Sequence, residues 1–180
     1  GMDNLLRTGL KPVNFYGDVD FLAADQGAAK ADEFIASAVR YGAKVIMIIP
    51  GNFTGKADRD DEARRMIPGL KAMVEKAIAA GLLPTMEDAG ASVGNPTSYR
   101  KYLTMFMDEV PDLRLALDSG NLSYANRGDD ILLLMRHCRG RVGHVHLKDF
   151  AEAGPTRKRA TLGYGVIPNR EIIESVKREG

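Results

Sequence analysis

VGHVHLKD, residues 142–149, is the stretch on which the fold turns. Gly143, Val145 and Leu147 are small or apolar, and His144, His146 and Lys148 between them are polar. Successive side chains of a β-strand point to opposite faces. One face of this strand can therefore lie under helices while the other collects ionisable groups. LRLALD, residues 113–118, repeats the division, with Leu113, Leu115 and Leu117 set against Arg114, Ala116 and Asp118. A strand in an open sheet with helices on both sides is expected to be apolar on both faces. A parallel sheet curled around its polar face, with an active site at its mouth, accounts for the division better.

The rest of the chain supplies the other units. Residues 28–41 carry Phe34, Ile35, Ala38 and Val39 near helical spacing, and Gly42 ends that helix. KVIMIIP (44–50) reads as a buried strand. Residues 61–80 read as a helix with a break possible at Pro68. LLPTMED (82–88) is the next strand, 96–109 a helix that starts well on Pro96, and 129–138 a helix ended by Gly140. Residues 169–178 form a last helix, and 10–16 an early strand. Four strands begin at Lys44, Leu82, Leu113 and Val142, a spacing suited to βα units and a parallel sheet. The expected class is α/β, a (β/α)₈ barrel, in one domain over residues 1–180.

Composition bounds the function. The chain has 180 residues, of which 44% are hydrophobic and 27% charged, so disorder and coiled-coil architectures are excluded. Lys plus Arg number 25 against 24 for Asp plus Glu, and this balance favours neither a nucleic-acid partner nor an acidic tail. The longest apolar runs, 45–49 and 131–135, fall far short of the roughly 20 residues of a membrane span. The first residues carry no secretory pattern. Cys138 is the one cysteine, so no internal disulfide forms and a reducing compartment, the cytoplasm, is expected. Cys138 itself reads as a packing residue.

Three strands carry metal-binding residues at or near their C-terminal ends: Glu87, Asp118 and His146. Barrel enzymes build their sites at the C-terminal ends of strands. Each residue alone has a plain explanation, as a cap, a solvated carboxylate or a packed histidine. Together they form a mixed oxygen and nitrogen set suited to Mn²⁺, Mg²⁺, Co²⁺ or Zn²⁺. GNFTGKA (51–57) lacks the spacing and the Ser/Thr of a phosphate-binding loop and reads as a loop at the barrel mouth. Thr156, Arg157, Lys158 and Arg159 form a basic run, solvated or in contact with a sugar phosphate. Residues 58–65 read as a solvated charged helix start, and 163–165 as a turn.

GLLPTMED (81–88), LRLALDSGN (113–121), GHVHLKD (143–149) and LGYGVIPNREII (162–173) together resemble the sugar phosphate isomerase/epimerase family, with its xylose isomerase-like barrel. Ketose 3-epimerases and inosose dehydratases belong to that family. The resemblance runs from about Leu10 to the C-terminus. It implies metal ligation by Glu87, Asp118 and His146, with Glu87 also the catalytic base. It places His144, Asn121, Lys148 and Asp149 toward the substrate, a sugar or sugar phosphate. The implied reaction is isomerisation or epimerisation through an enediolate. A dehydratase on the same scaffold and a non-catalytic barrel fragment with a binding or assembly role are the alternatives. An endonuclease IV-type nuclease is disfavoured, because its multi-zinc cluster needs more than the 3 histidines present. By the resemblance, 10–16 is the third strand of the barrel and 142–149 the seventh. The chain is therefore expected to be an incomplete barrel of about five strands, without the later Glu that serves as fourth ligand. Weak metal retention is expected to follow, as is cover for the open edges from a second copy or from further segments. Pro84 departs from what a central strand prefers.

Overall fold

The computed structural model describes residues 4, 7–155 and 158–179. Five strands, β1 (Asn14–Asp18), β2 (Val45–Ile49), β3 (Leu83–Glu87), β4 (Arg114–Asp118) and β5 (Val142–His146), lie side by side in chain order. Every neighbouring pair is parallel. The helices α1 (Ala24–Arg40), α2 (Arg59–Ala79), α3 (Arg100–Glu109), α4 (Ser119–Tyr124), α5 (Asp130–His137) and α6 (Asn169–Glu179) complete the described elements, with a 3₁₀ turn at Pro96–Ser98 before α3. The result is a partial (β/α)₈ barrel with one face curled inward.

The strands divide their side chains as alternation requires. Ile46, Ile48, Met86, Leu115 and Leu117 are fully buried on the outer face, in one core with Phe34 of α1, Met66, Leu70 and Met73 of α2, and Leu103 and Phe106 of α3. Asn14, Tyr16, Met47, Ile49, Glu87, Asp118, His144 and His146 line a cavity of about 840 Å³ on the inner face. β2 is apolar on both faces, which is why its run of hydrophobic residues shows no alternation.

Several boundaries differ from the sequence expectation. The first strand starts at Asn14 rather than at residue 10, because Leu10 and Val13 are 60% and 70% exposed and pairing with Val45 begins at Asn14. α2 runs through Pro68 without a break. α4 was not anticipated, since Ser119 and Gly120 favour loops. It forms because the Asp118 carboxylate caps it, accepting the Asn121 amide at 2.9 Å. Pro84 is tolerated for a positional reason. Leu83 donates its N–H to Lys44, so the Pro84 nitrogen faces β4, where pairing starts only at Thr85. Leu147 was expected under the helices but lies beyond the end of β5 and is 37% exposed.

The charged start of α2 is not wholly solvated. Glu62 is fully buried and holds the loop after β2, accepting the Thr54 amide at 2.9 Å and the Thr54 hydroxyl. The Thr54 hydroxyl keeps the Glu62 carboxyl below the usual range. Residues 51–57 are thus a pinned loop. Cys138 is buried, and burial pushes its thiol up to about 11, as befits a packing residue.

Candidate metal centre

Glu87, Asp118 and His146 are the last residues of three successive strands. Parallel register sets Asp118 directly beside His146 and Glu87 beside Ala116, so the three side chains leave the same end of the sheet. One potential ligand atom from each lies within 4.8 Å of the others. His146 Nδ1 is 2.6 Å from Glu87 Oε1 and 3.5 Å from Asp118 Oδ2.

A β-bulge aims the histidines. Val142 lies opposite Leu115, whose side chain is on the outer face, yet the next residue of β4, Ala116, lies opposite His144. Gly143 is the extra residue between them. Without it, strict alternation from Val142 would turn His144 and His146 outward under the helices. A Cβ on Gly143 would sit 2.7 Å from Cβ of Arg114 and 3.2 Å from Leu83, both inner-face residues. Gly143 therefore faces inward, and not outward with Val145 as plain alternation implied. A side chain at this position of the bulge would force its neighbours to shift.

The surroundings are charged, and burial falls mainly on the carboxylates: Asp118 is almost wholly buried and Glu87 largely so, while His146 and Lys148 reach water. Burial, and then the negative charge of Asp118, raise the Glu87 carboxyl above the usual range, while His146 and Lys148 pull the other way. The Lys148 ammonium bridges Asp118 Oδ2 at 2.5 Å and Asn121 Oδ1 at 3.2 Å. Asn121 also donates from its side-chain nitrogen to the Asp88 carbonyl at 3.1 Å. His144 Nε2 stands 3.1 Å from His146 Nε2, and burial followed by the neighbouring His146 lowers its readiness to protonate.

Asp149 is placed differently from the other residues implied for the substrate. Its buried carboxylate accepts the backbone amides of Phe150, Gly163, Gly165 and Ile167 at 2.9–3.2 Å. Burial opposes its ionisation, but those four donors outweigh it and hold the carboxyl below the usual range. Asp149 thus fastens the chain around residues 163–167 to the end of the segment that follows β5. Of the basic run, Thr156 and Arg157 lie outside the described residues, and Arg159 lines a second cavity beside the first.

Asp88 was missed in the sequence, although two consecutive carboxylates at a strand end were visible. It is fully buried, and its Oδ2 accepts the Asp118 N–H at 3.0 Å, tying the ends of β3 and β4. Burial raises its carboxyl well above the usual range.

Two carboxylates and an imidazole converging in a partly buried pocket form a donor set that fits a divalent cation, whose charge would offset their mutual repulsion. The model of a family described as xylose isomerase-like TIM barrel matches residues 4–180. The chain belongs to that family. A probable 3-DHS dehydratase, AsbF, from Bacillus anthracis is 17% identical over 98% of this chain and 70% of its own, with a TM-score of 0.71. The IOLI protein with a bound zinc atom is 15% identical over 100% of this chain and 69% of its own, with a TM-score of 0.75. An L-ribulose 3-epimerase is 21% identical, with a TM-score of 0.72; this chain is covered over 99% and spans 62% of that one. At these identities the likeness concerns the fold. No curated protein matches the sequence. Among the described residues no helix is long and apolar enough to cross a membrane.

Proposed function

We propose that the protein is a metal-dependent isomerase or epimerase that acts on a sugar or sugar-like polyol by moving a proton at the carbon beside a carbonyl. The observation that carries this reading is the convergence of Glu87, Asp118 and His146, with ligand atoms within 4.8 Å at one end of the sheet. Structural neighbours that include an L-ribulose 3-epimerase support it. Asp118 and His146 would hold the cation, and Glu87 would share in holding it. The bound cation would supply positive charge beside the substrate carbonyl and hydroxyl oxygens.

The residues of the chain do the rest. Glu87, its carboxyl raised by burial and by Asp118, takes the proton on a side-chain oxygen. The enediolate that results is negatively charged, and positive charge held at the Asp118 and His146 end of the cavity would favour it. Asn121 and His144 offer hydrogen bonds to substrate hydroxyls. Asp149 acts through the loop it fastens. We read residues 1–180 as one domain working in the reducing cytoplasm, where a lone cysteine stays a thiol.

The test is solvent exchange. The chain, loaded in turn with Mn²⁺, Co²⁺, Zn²⁺ and Mg²⁺, is incubated with a ketose panel in deuterated water and followed by NMR. Deuterium is expected beside the carbonyl of one sugar, with the rate falling about 10²–10⁴-fold in Glu87→Gln. Elimination of water from the substrate would instead identify a dehydratase. A chain that binds metal no more tightly than its Asp118→Asn variant, and exchanges no sugar proton, would refute the proposal.

A further inference from the structure

A cavity of about 580 Å³ adjoins the candidate metal centre and shares Asn121, Leu147 and Lys148 with it. Leu147, Phe150 and Leu162 give its wall an apolar character, and its charged residues are Lys148, Asp149 and Arg159. The Asp149 carboxylate is already engaged by four backbone amides. The Arg159 guanidinium makes no hydrogen bond or ion pair with any described residue. Two cations and an already satisfied carboxylate leave the cavity suited to an oxyanion.

Lys148 connects this cavity to the candidate metal centre. Its ammonium lies 2.5 Å from Asp118 Oδ2, the oxygen nearest His146 Nδ1 and so the one a cation would share. Asp118 is almost wholly buried, whereas the Lys148 side chain is 45% exposed. The lysine stem lies flat on Gly120, where any Cβ would overlap it. An ammonium and a divalent cation cannot both sit closely on Asp118 Oδ2 without strong repulsion. The lysine is the mobile, solvated partner of the two.

We infer that the second cavity is a subsite for an anionic group of the substrate, a carboxylate or a phosphate, held by Arg159 together with Lys148 once a cation has taken the lysine's place on Asp118. The inference rests on the metal-centre reading and deepens it. The protein then binds an acidic polyol with its reacting end at Glu87 and its anionic end at Arg159. Metal and anion binding help each other: the cation releases Lys148 from Asp118 to the anion, and the anion draws Lys148 off the oxygen that the cation uses.

Two measurements on the full chain test this, and neither uses catalysis. In the first, metal-free ¹⁵N-labelled protein is titrated with inorganic phosphate and, separately, with acetate. Shifts are expected at the Arg159 side chain and the Ala160 and Leu162 amides for one or both anions, with affinity at least about fivefold weaker in Arg159→Gln. The stronger of the two identifies the anionic group. Shifts confined to other regions, or an unchanged Arg159→Gln titration, overturn the subsite. In the second, free Mn²⁺ is followed by EPR. Lys148→Met is expected to bind Mn²⁺ about tenfold more tightly than the native chain, while the preferred anion tightens Mn²⁺ binding only in the native chain. Equal Mn²⁺ affinity in the two proteins overturns the role of Lys148. Mn²⁺ binding unaffected by Asp118→Asn would instead overturn the metal centre and leave the anion titration standing as its own test.

Discussion

Replacing Gly143 with alanine tests the bulge that aims both histidines. Its backbone is not in the left-handed region, so alanine brings no conformational penalty there, and the effect is steric. The new Cβ would lie 2.7 Å from Cβ of Arg114 and 3.2 Å from Arg114 Cγ and Leu83 Cδ2. Cβ of Arg114 is fixed to a paired backbone and cannot rotate away. Overpacking of this kind costs about 1–3 kcal/mol. Loss of glycine's freedom in the unfolded chain offsets about 0.4–1 kcal/mol of that. A net destabilisation of about 1–2 kcal/mol is therefore expected in urea unfolding. Any relaxation that expels the extra residue turns His144 and His146 outward, so Mn²⁺ affinity should fall about 10–100-fold, the range seen when a ligand loses its orientation. Gly128→Ala is the control, since nothing lies within 4 Å of its added Cβ. A Gly143→Ala protein as stable as that control, with native Mn²⁺ affinity, would refute the account of the bulge.

Three further outcomes follow from other parts of the structure. Gly120→Ala should push Lys148 off Asp118 and so tighten Mn²⁺ binding in the direction expected for Lys148→Met; weaker or unchanged binding by EPR would contradict it. Asp149→Ala should lose at least about 2 kcal/mol near neutral pH, since buried amides lose their acceptor. The folded Asp149 carboxyl is depressed, so this contribution is complete above the unfolded value of about 3.9 and disappears as pH falls through the lower folded value. The stability gap between native and variant proteins should therefore close in acid, and a gap that widens below pH 4 would show the sign to be wrong. Leu117→Ala, at a fully buried position on the outer face of β4, should cost about 2–5 kcal/mol by calorimetry or urea, and a cost under about 1 kcal/mol would mean that the helices do not pack there as described.

Local chemistry carried the sequence a long way. Apolar or alternating runs after helix-ending glycines or Pro111 marked β2 to β5, and the division of LRLALD into two faces survives in the structure, with Leu115 and Leu117 buried outward and Asp118 turned inward. Glu87, Asp118 and His146 were visible as ligands near strand ends because a strand's direction and approximate extent are local properties, although β3 and β5 stop at Glu87 and His146 rather than at residues 88 and 149. What the tertiary structure alone decided depends on pairing between distant segments. Alternation in VGHVHLKD puts Gly143 with Val145, and only the register against β4 shows the extra residue that puts Gly143 inside with the histidines. Asp149 stands one residue after Lys148 and looks equally available in the sequence, yet amides 14–18 residues further on converge on its carboxylate. Glu62 sits in a charged run whose sequence reads as solvated, and it is buried because the loop after β2 folds back onto it. In each case the polar group's fate was set by partners supplied from elsewhere in the chain, since a buried donor or acceptor is stable only where the fold brings its complement within hydrogen-bond reach.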